Sequence, residues 1–522
     1  MNISNKSIKT VKSNKTTKTN NSSNSSNPTT NVEITTNQSN QLNQSNQLNQ
    51  SNQLNSNTQG DLILYELPKN DGPNILDMNV EPSFSVFPNM PSFKYGFYYY
   101  IHQTKNKMEM FEKPEYRSKD LHKIVNPYED TVPQEEFIKQ FKTDKYKTTD
   151  DINSFSIKYF NSDRIISRAF YKLWELLMMF DLIKYDVPLT SIHIAEAPGS
   201  FAQSIIYYRN KFCPANIIKS DKYIATSIEP KTTHKPTEYV PTFNTDLTSN
   251  KQFRQWSYLD SNITKPDIIQ KFVSDNKLNP AHLITADGGF NWKDENYQEQ
   301  EAYILLLAEI YCAIQVQAPD GHFIIKFFET FTELTVKMIE ILKRFYTNVF
   351  ITKPLLSRSS NSERYIVCMN FVKPSDYHID KLFEIIQTAY NQPTKYLVDI
   401  FPDYNISQKL DMIIKLSATE MSNQQHKQIN EMISYINDGN YFGDTYRKYL
   451  LLRRDANDFW ISAFFPISLT DLSIDRKLIK MLVNKSLNKM KLTLNALSDK
   501  LQMGMIDYNS SYEPNKLQSN KI

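Results

Sequence analysis

The chain has 522 residues, and 60 Lys and Arg against 57 Asp and Glu leave a formal charge of +3, a balance that neither announces nor excludes a nucleic-acid partner. At roughly 100–200 residues per domain there is room for two to four domains, and 40% hydrophobic residues exclude a wholly disordered chain. The longest apolar run, Ala302 to Ala308, stops at Glu309, and the N-terminal lysines precede no apolar stretch, so neither a membrane span nor a signal peptide is expected.

Glycine is scarce, 10 residues in all, about 2% against a usual value of about 7%, so each one kept is informative. Cys213, Cys312 and Cys368 are odd in number and widely spaced, without a CxxC, which argues against a disulfide framework or a thiolate zinc site and for a reducing, intracellular compartment.

Residues 1–60 are Asn, Ser, Thr, Gln and Lys almost throughout, with SNQLNQ repeated from Ser39 and Ser45. Such a stretch buries too little apolar surface to offset its ordering entropy and reads as a disordered tail. From 61 to 150 the composition turns globular. Its aromatic cluster Phe93, Tyr95, Phe97, Tyr98, Tyr99 and Tyr100, followed by Lys105 and Lys107, reads either as a strand with one buried face or as a base-stacking, phosphate-holding surface.

Between 151 and 372 strand-length apolar runs alternate with helical patterns, the signature of a parallel sheet with crossover helices. A helix is expected over about Arg164–Ile183, and strands over Ser191–Ala197, Tyr223–Glu229, His282–Ala286, His322–Phe327, Asn348–Lys353 and Arg364–Phe371. Further helices are expected over Phe201–Phe212, Glu295–Val316 and Glu333–Arg344, which together make an α/β sandwich of Rossmann type. Residues 373–522 are mainly helical in pattern. Their basic segment Ile474–Leu497, with Arg476, Lys477, Lys480, Lys485, Lys489 and Lys491, reads as a solvated helix face or an RNA-facing surface.

Chemistry gathers in the 151–372 segment. The first strand runs into Glu196-Ala197-Pro198-Gly199-Ser200-Phe201, the turn that lies at the switch point of a doubly wound sheet. It lacks the G-x-G-x-x-G pyrophosphate cradle, which favours a ligand without phosphates, such as S-adenosylmethionine, over NAD. Asp287 in ADGGF ends the third strand, and Lys326 interrupts the apolar strand GHFIIKFF. A lysine there is costly to bury without a carboxylate partner. Lys172 in SRAFYKL and Glu363 in NSERY complete two lysines and two carboxylates for one sheet edge. Such a cluster suits methyl transfer to a poorly nucleophilic sugar hydroxyl: a lysine near another cation has a lowered pKa and can take up the proton.

These residues resemble the FtsJ-like ribose 2'-O-methyltransferases, whose catalytic tetrad is Lys-Asp-Lys-Glu in that order. The stretch from Ala286 to Cys368, with ADGGF, a long helix, GHFIIKFF, an FTELTV helix and KPLLSRSSNSERYIVC, is similar to the cap-specific mRNA (nucleoside-2'-O-)-methyltransferases with an Adrift-type domain. The resemblance implies an S-adenosylmethionine-dependent methyltransferase sheet with flanking helices, with Lys172, Asp287, Lys326 and Glu363 catalytic and Lys326 the proton acceptor. It implies a cofactor held by Glu196 to Phe201, Asp246 in NTDLTS and Asp287, without a metal. Ser200 stands where the family usually has a second glycine, and Ser227 where many members have Asp.

The implied substrate is the cap-proximal ribose 2'-hydroxyl of mRNA, the implied partners are capped RNA and the capping or transcription machinery, and the implied place is a nucleus or a viral cytoplasmic transcription site. A methylated cap guanine would stack on the Phe93–Tyr100 cluster or on Trp292 in the loop after Phe290, and Lys353 and Arg358 would contact phosphates. The alternatives are a ribosomal or transfer RNA 2'-O-methyltransferase and, in another class, a catalytically inactive RNA-binding or scaffold subunit.

Overall fold

Short runs rich in β-branched and aromatic residues form the strands of one large mixed sheet in the computed structural model. The structure describes residues 62–69, 73–112, 126–128, 165–229, 240–289, 292–372, 377–438, 443–464 and 469–502. The tail expected over 1–60 lies outside the described residues.

The strands are β1 (Ile63–Glu66), β2 (Ser83–Ser85), β3 (Thr190–Ile194), β4 (Lys222–Thr226), β5 (Phe253–Gln255), β6 (Ala281–Ala286), β7 (Gln317–Phe327), β8 (Tyr346–Lys353), β9 (Arg364–Phe371) and β10 (Tyr396–Asp399). Eight of them form the sheet in the order β1-β8-β9-β7-β6-β3-β4-β5, while β2 and β10 make a separate ribbon. The run β7-β6-β3-β4-β5 is parallel. By contrast β9 is antiparallel to both β7 and β8, and β1 is antiparallel to β8. Strand order reverses between β3 and β6, the switch point at which open α/β sheets place their ligands.

The longer helices are α1 (Tyr95–Asn106), α2 (Ala169–Phe180), α3 (Ser200–Phe212), α4 (Pro266–Asn276), α5 (Tyr303–Val316), α6 (Glu333–Phe345), α7 (Tyr377–Tyr390), α8 (Gln408–Asp438), α9 (Gly443–Phe464) and α10 (Leu469–Gln502). The two faces of the sheet are covered by two cores. Phe323, Ile325 and Phe327 of β7 join α5 and α6 in one, whereas Ile324 joins α2, α3 and Trp460 of α9 in the other. The strand period of two therefore sends Lys326 to the α2–α3 side.

The six expected strands of the 151–372 segment are present, with ends shifted by a few residues; β1, β5 and α4 were not among the expected elements. The expected helix Glu295–Val316 is broken into a 3-10 turn, a single helical turn and α5. Glu299 inside the break takes the N–H groups of Phe331 and Thr332, each at 2.9 Å, so the chain bends to bring an acceptor to that loop. The strand reading of the aromatic cluster is overturned, because Tyr95 to Tyr100 lie in α1, with Phe93 just before it. Its buried side chains Tyr98, Ile101 and Lys105 recur at i, i+3 and i+7, and Phe93 and Phe97 pack with Tyr98 on Phe331.

Candidate active site

Three topological facts bring the tetrad together. Asp287 directly follows β6, Lys326 is the penultimate residue of β7, and Glu363 directly precedes β9. Because β9 runs against β7, with Lys326 opposite Tyr365, its start lies where β6 and β7 end. The α2 helix covers this face and supplies Lys172 from its first turn.

The four side chains form two ion pairs. Lys172 Nζ lies 2.6 Å from Glu363 Oε1, and Lys326 Nζ lies 3.2 Å from Asp287 Oδ1, with side-chain exposures of 12–18% throughout. The Lys326 amine also donates to the Asp287 carbonyl at 3.0 Å. Two hydroxyls not anticipated from sequence complete the arrangement. Tyr365 donates to Asp287 Oδ1 at 3.1 Å, and Ser357 donates to Glu363 Oε1 at 2.5 Å.

The electrostatics differ from the expected lowered lysine. Burial works to lower Lys326, but Asp287 and Glu363, with Glu309 behind them, outweigh it and raise the amine above its ordinary value. The reason is pairing: each lysine faces a carboxylate, so the two cations do not simply repel one another. Burial would raise Glu363, yet Lys172, Lys353 and Lys326 hold it well below the usual carboxylate range. The lysine that is depressed is Lys353, pushed down to about 7, mainly by burial, against Glu363 and with help from Arg364 and Lys172. Lys353 is buried and donates to Asn361 Oδ1 at 2.7 Å and to the Glu363 carbonyl at 2.6 Å, so it braces the loop rather than meeting phosphates. Arg358 is half-buried.

The turn after β3 is built around Glu196. The Phe201 and Ala202 N–H groups donate to Glu196 Oε1 at 2.8 and 2.9 Å, so this carboxylate caps the start of α3. Burial, reinforced by Asp287, pushes Glu196 up to about 8 despite those bonds. Gly199 has φ +111°, and a Cβ there would lie 2.2 Å from Leu247 Cδ2. Asn244 donates its N–H to the Pro198 carbonyl at 3.0 Å, which fixes the short helix carrying half-buried Asp246 beside the turn. Ala197 and Pro198 are half-buried, while Ser200 and Phe201 are buried, Ser200 with its hydroxyl 2.7 Å from that of Ser167. All the expected cofactor residues thus flank one edge, but Glu196 and Phe201 have structural duties there.

Around the site, Lys105 is buried and paired with Glu329 at 2.6 Å, which removes it from any phosphate-holding role. Tyr95 and Tyr99 are each 53% exposed and stacked on one another at 6.3 Å. Trp292 is half-buried and packs edge-on against Phe328 at 4.6 Å. On the basic helix Arg476 pairs with Asp181, and Lys489 with Glu420 at 3.2 Å. Cys213, Cys312 and Cys368 are free and buried. Among the described residues no cluster of His, Cys, Asp or Glu is arranged to hold a metal ion, and no helix is long and apolar enough to cross a membrane.

Residues 165–371 match the FtsJ-like methyltransferase family. The chain is 28% identical over 227 residues to cap-specific mRNA (nucleoside-2'-O-)-methyltransferase 2 of Mus musculus, covering 40% of this chain and 28% of that protein. It is 39% identical over 131 residues to cap-specific mRNA (nucleoside-2'-O-)-methyltransferase 1 of Bos taurus, covering 24% and 16%. With cap-specific mRNA (nucleoside-2'-O-)-methyltransferase 2 of Drosophila melanogaster it shares 26% over 257 residues, covering 47% and 35%. The chain therefore spans about a third or less of the length of these relatives. The match runs from just before α2 to the last residue of β9 and takes in all four residues of the tetrad at the carboxyl edge, so it is in residues 165–371 that this chain is similar to the FtsJ-like methyltransferases.

Proposed function

We propose that the protein transfers a methyl group from S-adenosylmethionine to a ribose 2'-hydroxyl of RNA, at the cap-proximal nucleotide of mRNA. The observation that carries this reading is the pairing of Lys172 with Glu363 and of Lys326 with Asp287 at the carboxyl edge of the sheet.

The residues beside the β3 turn fit the methyl donor better than a dinucleotide. A pyrophosphate ligand uses the free N–H groups at a helix start, and at α3 those of Phe201 and Ala202 are already taken by Glu196. What faces the edge is instead acidic, with half-buried Asp246 and Asp287 available to the hydroxyl and amino groups of an adenosine and a methionine, and the buried Thr226 hydroxyl at the end of β4 without a hydrogen-bond partner. Bound there, S-adenosylmethionine supplies a methyl activated by its sulfonium, whose positive charge works against the protonated form of a nearby amine.

The chain's own residues do the rest. Lys326, held from two sides by the carboxylate and carbonyl of Asp287, takes the proton of the 2'-hydroxyl on its neutral amine. Tyr365 fixes the Asp287 oxygen, and the Lys172–Glu363 pair, steadied by Ser357, keeps a carboxylate near Lys326 to stabilise the ammonium that forms. Preference for capped RNA is supported by the names of the relatives and by the exposed Tyr95–Tyr99 pair on α1, whose opposite face packs on the loop following Lys326. Such rings suit stacking with a methylated guanine.

Purified protein, labelled S-adenosylmethionine, and capped, triphosphate-ended and ribosomal RNA compared side by side test the reading. Capped RNA is expected to be methylated fastest, with inhibition by a methylated cap analogue. Equal rates on all three without such inhibition would leave a general RNA ribose methyltransferase, and no transfer to any RNA would leave a non-catalytic RNA-binding subunit.

A further inference from the structure

Helix α2 turns two charged side chains towards the site, three residues apart, and only Lys172 belongs to the tetrad. The other, Glu175, is completely buried. Its Oε1 accepts the Leu355 N–H at 2.6 Å, while its Oε2 accepts the indole N–H of Trp460 at 3.2 Å and the Leu356 N–H at 3.5 Å. From the start of the same helix Arg168 donates to the Leu356 carbonyl at 2.8 Å. Leu355 and Leu356 open the loop between β8 and β9, and the next residue is Ser357, which holds Glu363.

A carboxylate placed out of water is expensive where an apolar side chain of similar volume would pack. It is justified here by what it holds: two consecutive loop amides on one side and an indole on the other. Trp460 is itself fully buried on α9, against Tyr171 at 5.6 Å and Phe464 at 5.7 Å. It lies outside the segment that matches the methyltransferase family. An unbroken run of contacts thus leads from the helical C-terminal region through Glu175 to the Leu355–Ser357 turn, and from Ser357 to Glu363 and Lys172.

We propose that Glu175 and Trp460 are positioning residues, which fix the Leu355–Ser357 turn and, through Ser357, the Glu363–Lys172 pair. The catalytic consequence rests on the methyltransferase reading above; the mechanical link does not. Hydrogen exchange at the Leu355 and Leu356 amides, measured on the full chain, tests the link without any activity. Trp460→Phe keeps most of the apolar volume and removes the indole N–H, so exchange at these amides should rise by about fivefold or more. Glu175→Gln should raise it further, and unchanged exchange in both variants would overturn the proposal.

Kinetics then test the consequence. Trp460→Phe should lower kcat while methyl-donor affinity and melting temperature stay near those of the parent, and Ser357→Ala should do the same. Because all act through one contact, Trp460→Phe with Ser357→Ala should cost hardly more than the worse single change. Losses that simply multiply would overturn the coupling through Ser357. Absence of methyl transfer in the parent protein would count against the methyltransferase reading, and amide exchange would still decide the clamp.

Discussion

Two charge clusters, one buried and one half-buried, sit at opposite edges of the sheet and use their hydrogen bonds in opposite ways. At the amino edge Arg209 and Asp221 are both fully buried in their side chains and share two contacts of 2.7 and 2.8 Å. Arg209 also donates to the carbonyls of Lys184 and Val187, and Asp221 also accepts from Tyr223 and the Leu189 N–H. That cluster is closed. At the carboxyl edge Lys172, Lys326, Asp287 and Glu363 keep 12–18% of their side chains exposed and are held by fewer bonds. Oppositely charged residues make a fastener where every donor and acceptor is matched, and a candidate site where hydrogen-bonding capacity is left over.

The largest effects should separate the two clusters. Lys326→Ala should lower methyl transfer by about 10²–10⁴-fold with methyl-donor affinity nearly intact, measured by turnover and calorimetry. Its melting temperature should move little. Asp221→Ala should do the reverse, costing about 3–5 kcal/mol of stability by stranding Arg209, read from denaturant unfolding, with activity lost only as the protein unfolds. If Asp221→Ala stays stable or Lys326→Ala stays active, the contrast fails.

The glycines beside Asp287 sharpen the contrast at shorter range. A Cβ on Gly288 would lie 2.3 Å from Glu309 Oε1 and 2.9 Å from Leu305 Cδ2, whereas one on Gly289 would lie 3.5 Å from Lys326 Nζ. Gly288→Ala should therefore cost about 1–3 kcal/mol in stability. Gly289→Ala should fold normally and show its effect in KM for RNA.

The dependence on pH follows from the raised Lys326 amine. If the neutral amine accepts the proton, kcat should climb with pH from neutrality up to the folded pKa, about tenfold per unit at most. A flat profile would remove the proton-acceptor role. Stability carries a smaller and opposite signal. Burial raises Glu309 to about 8, with Asp287 adding to the rise and Lys326 opposing it. Between the ordinary carboxyl value and about 8 the folded protein then holds a proton that the unfolded chain has released, so this group lowers stability as pH rises through that window. Glu309→Gln should flatten the fall in melting temperature across it.

Much of the centre was legible because its residues break local rules. Lys326 interrupts an apolar strand, Asp287 is followed by two of only ten glycines, and Glu363 opens a strand. The Arg209–Asp221 fastener and the Glu175–Trp460 contact break no rule in sequence, since the latter joins positions 285 residues apart. The aromatic cluster was misread because a run so dense in Phe and Tyr satisfies a period of two as readily as 3.6; the spacing of Tyr98, Ile101 and Lys105 carried the helix. The sign of the Lys326 shift was missed because sequence counts lysines and carboxylates without showing which face each other.

Helix α3 connects the two edges, and its ends are both held. At its start Glu196 receives the Phe201 and Ala202 N–H groups, and in its last turn Arg209 is locked to Asp221. Arg209, a cation in the last turn, also suits the negative end of the helix dipole. So anchored, α3 is held at both ends like a strut, and sliding or tilting it to meet a ligand would break buried hydrogen bonds. A ligand entering there loses its own freedom but spends little on ordering the protein, so affinity should be set by fit to a ready-made seat.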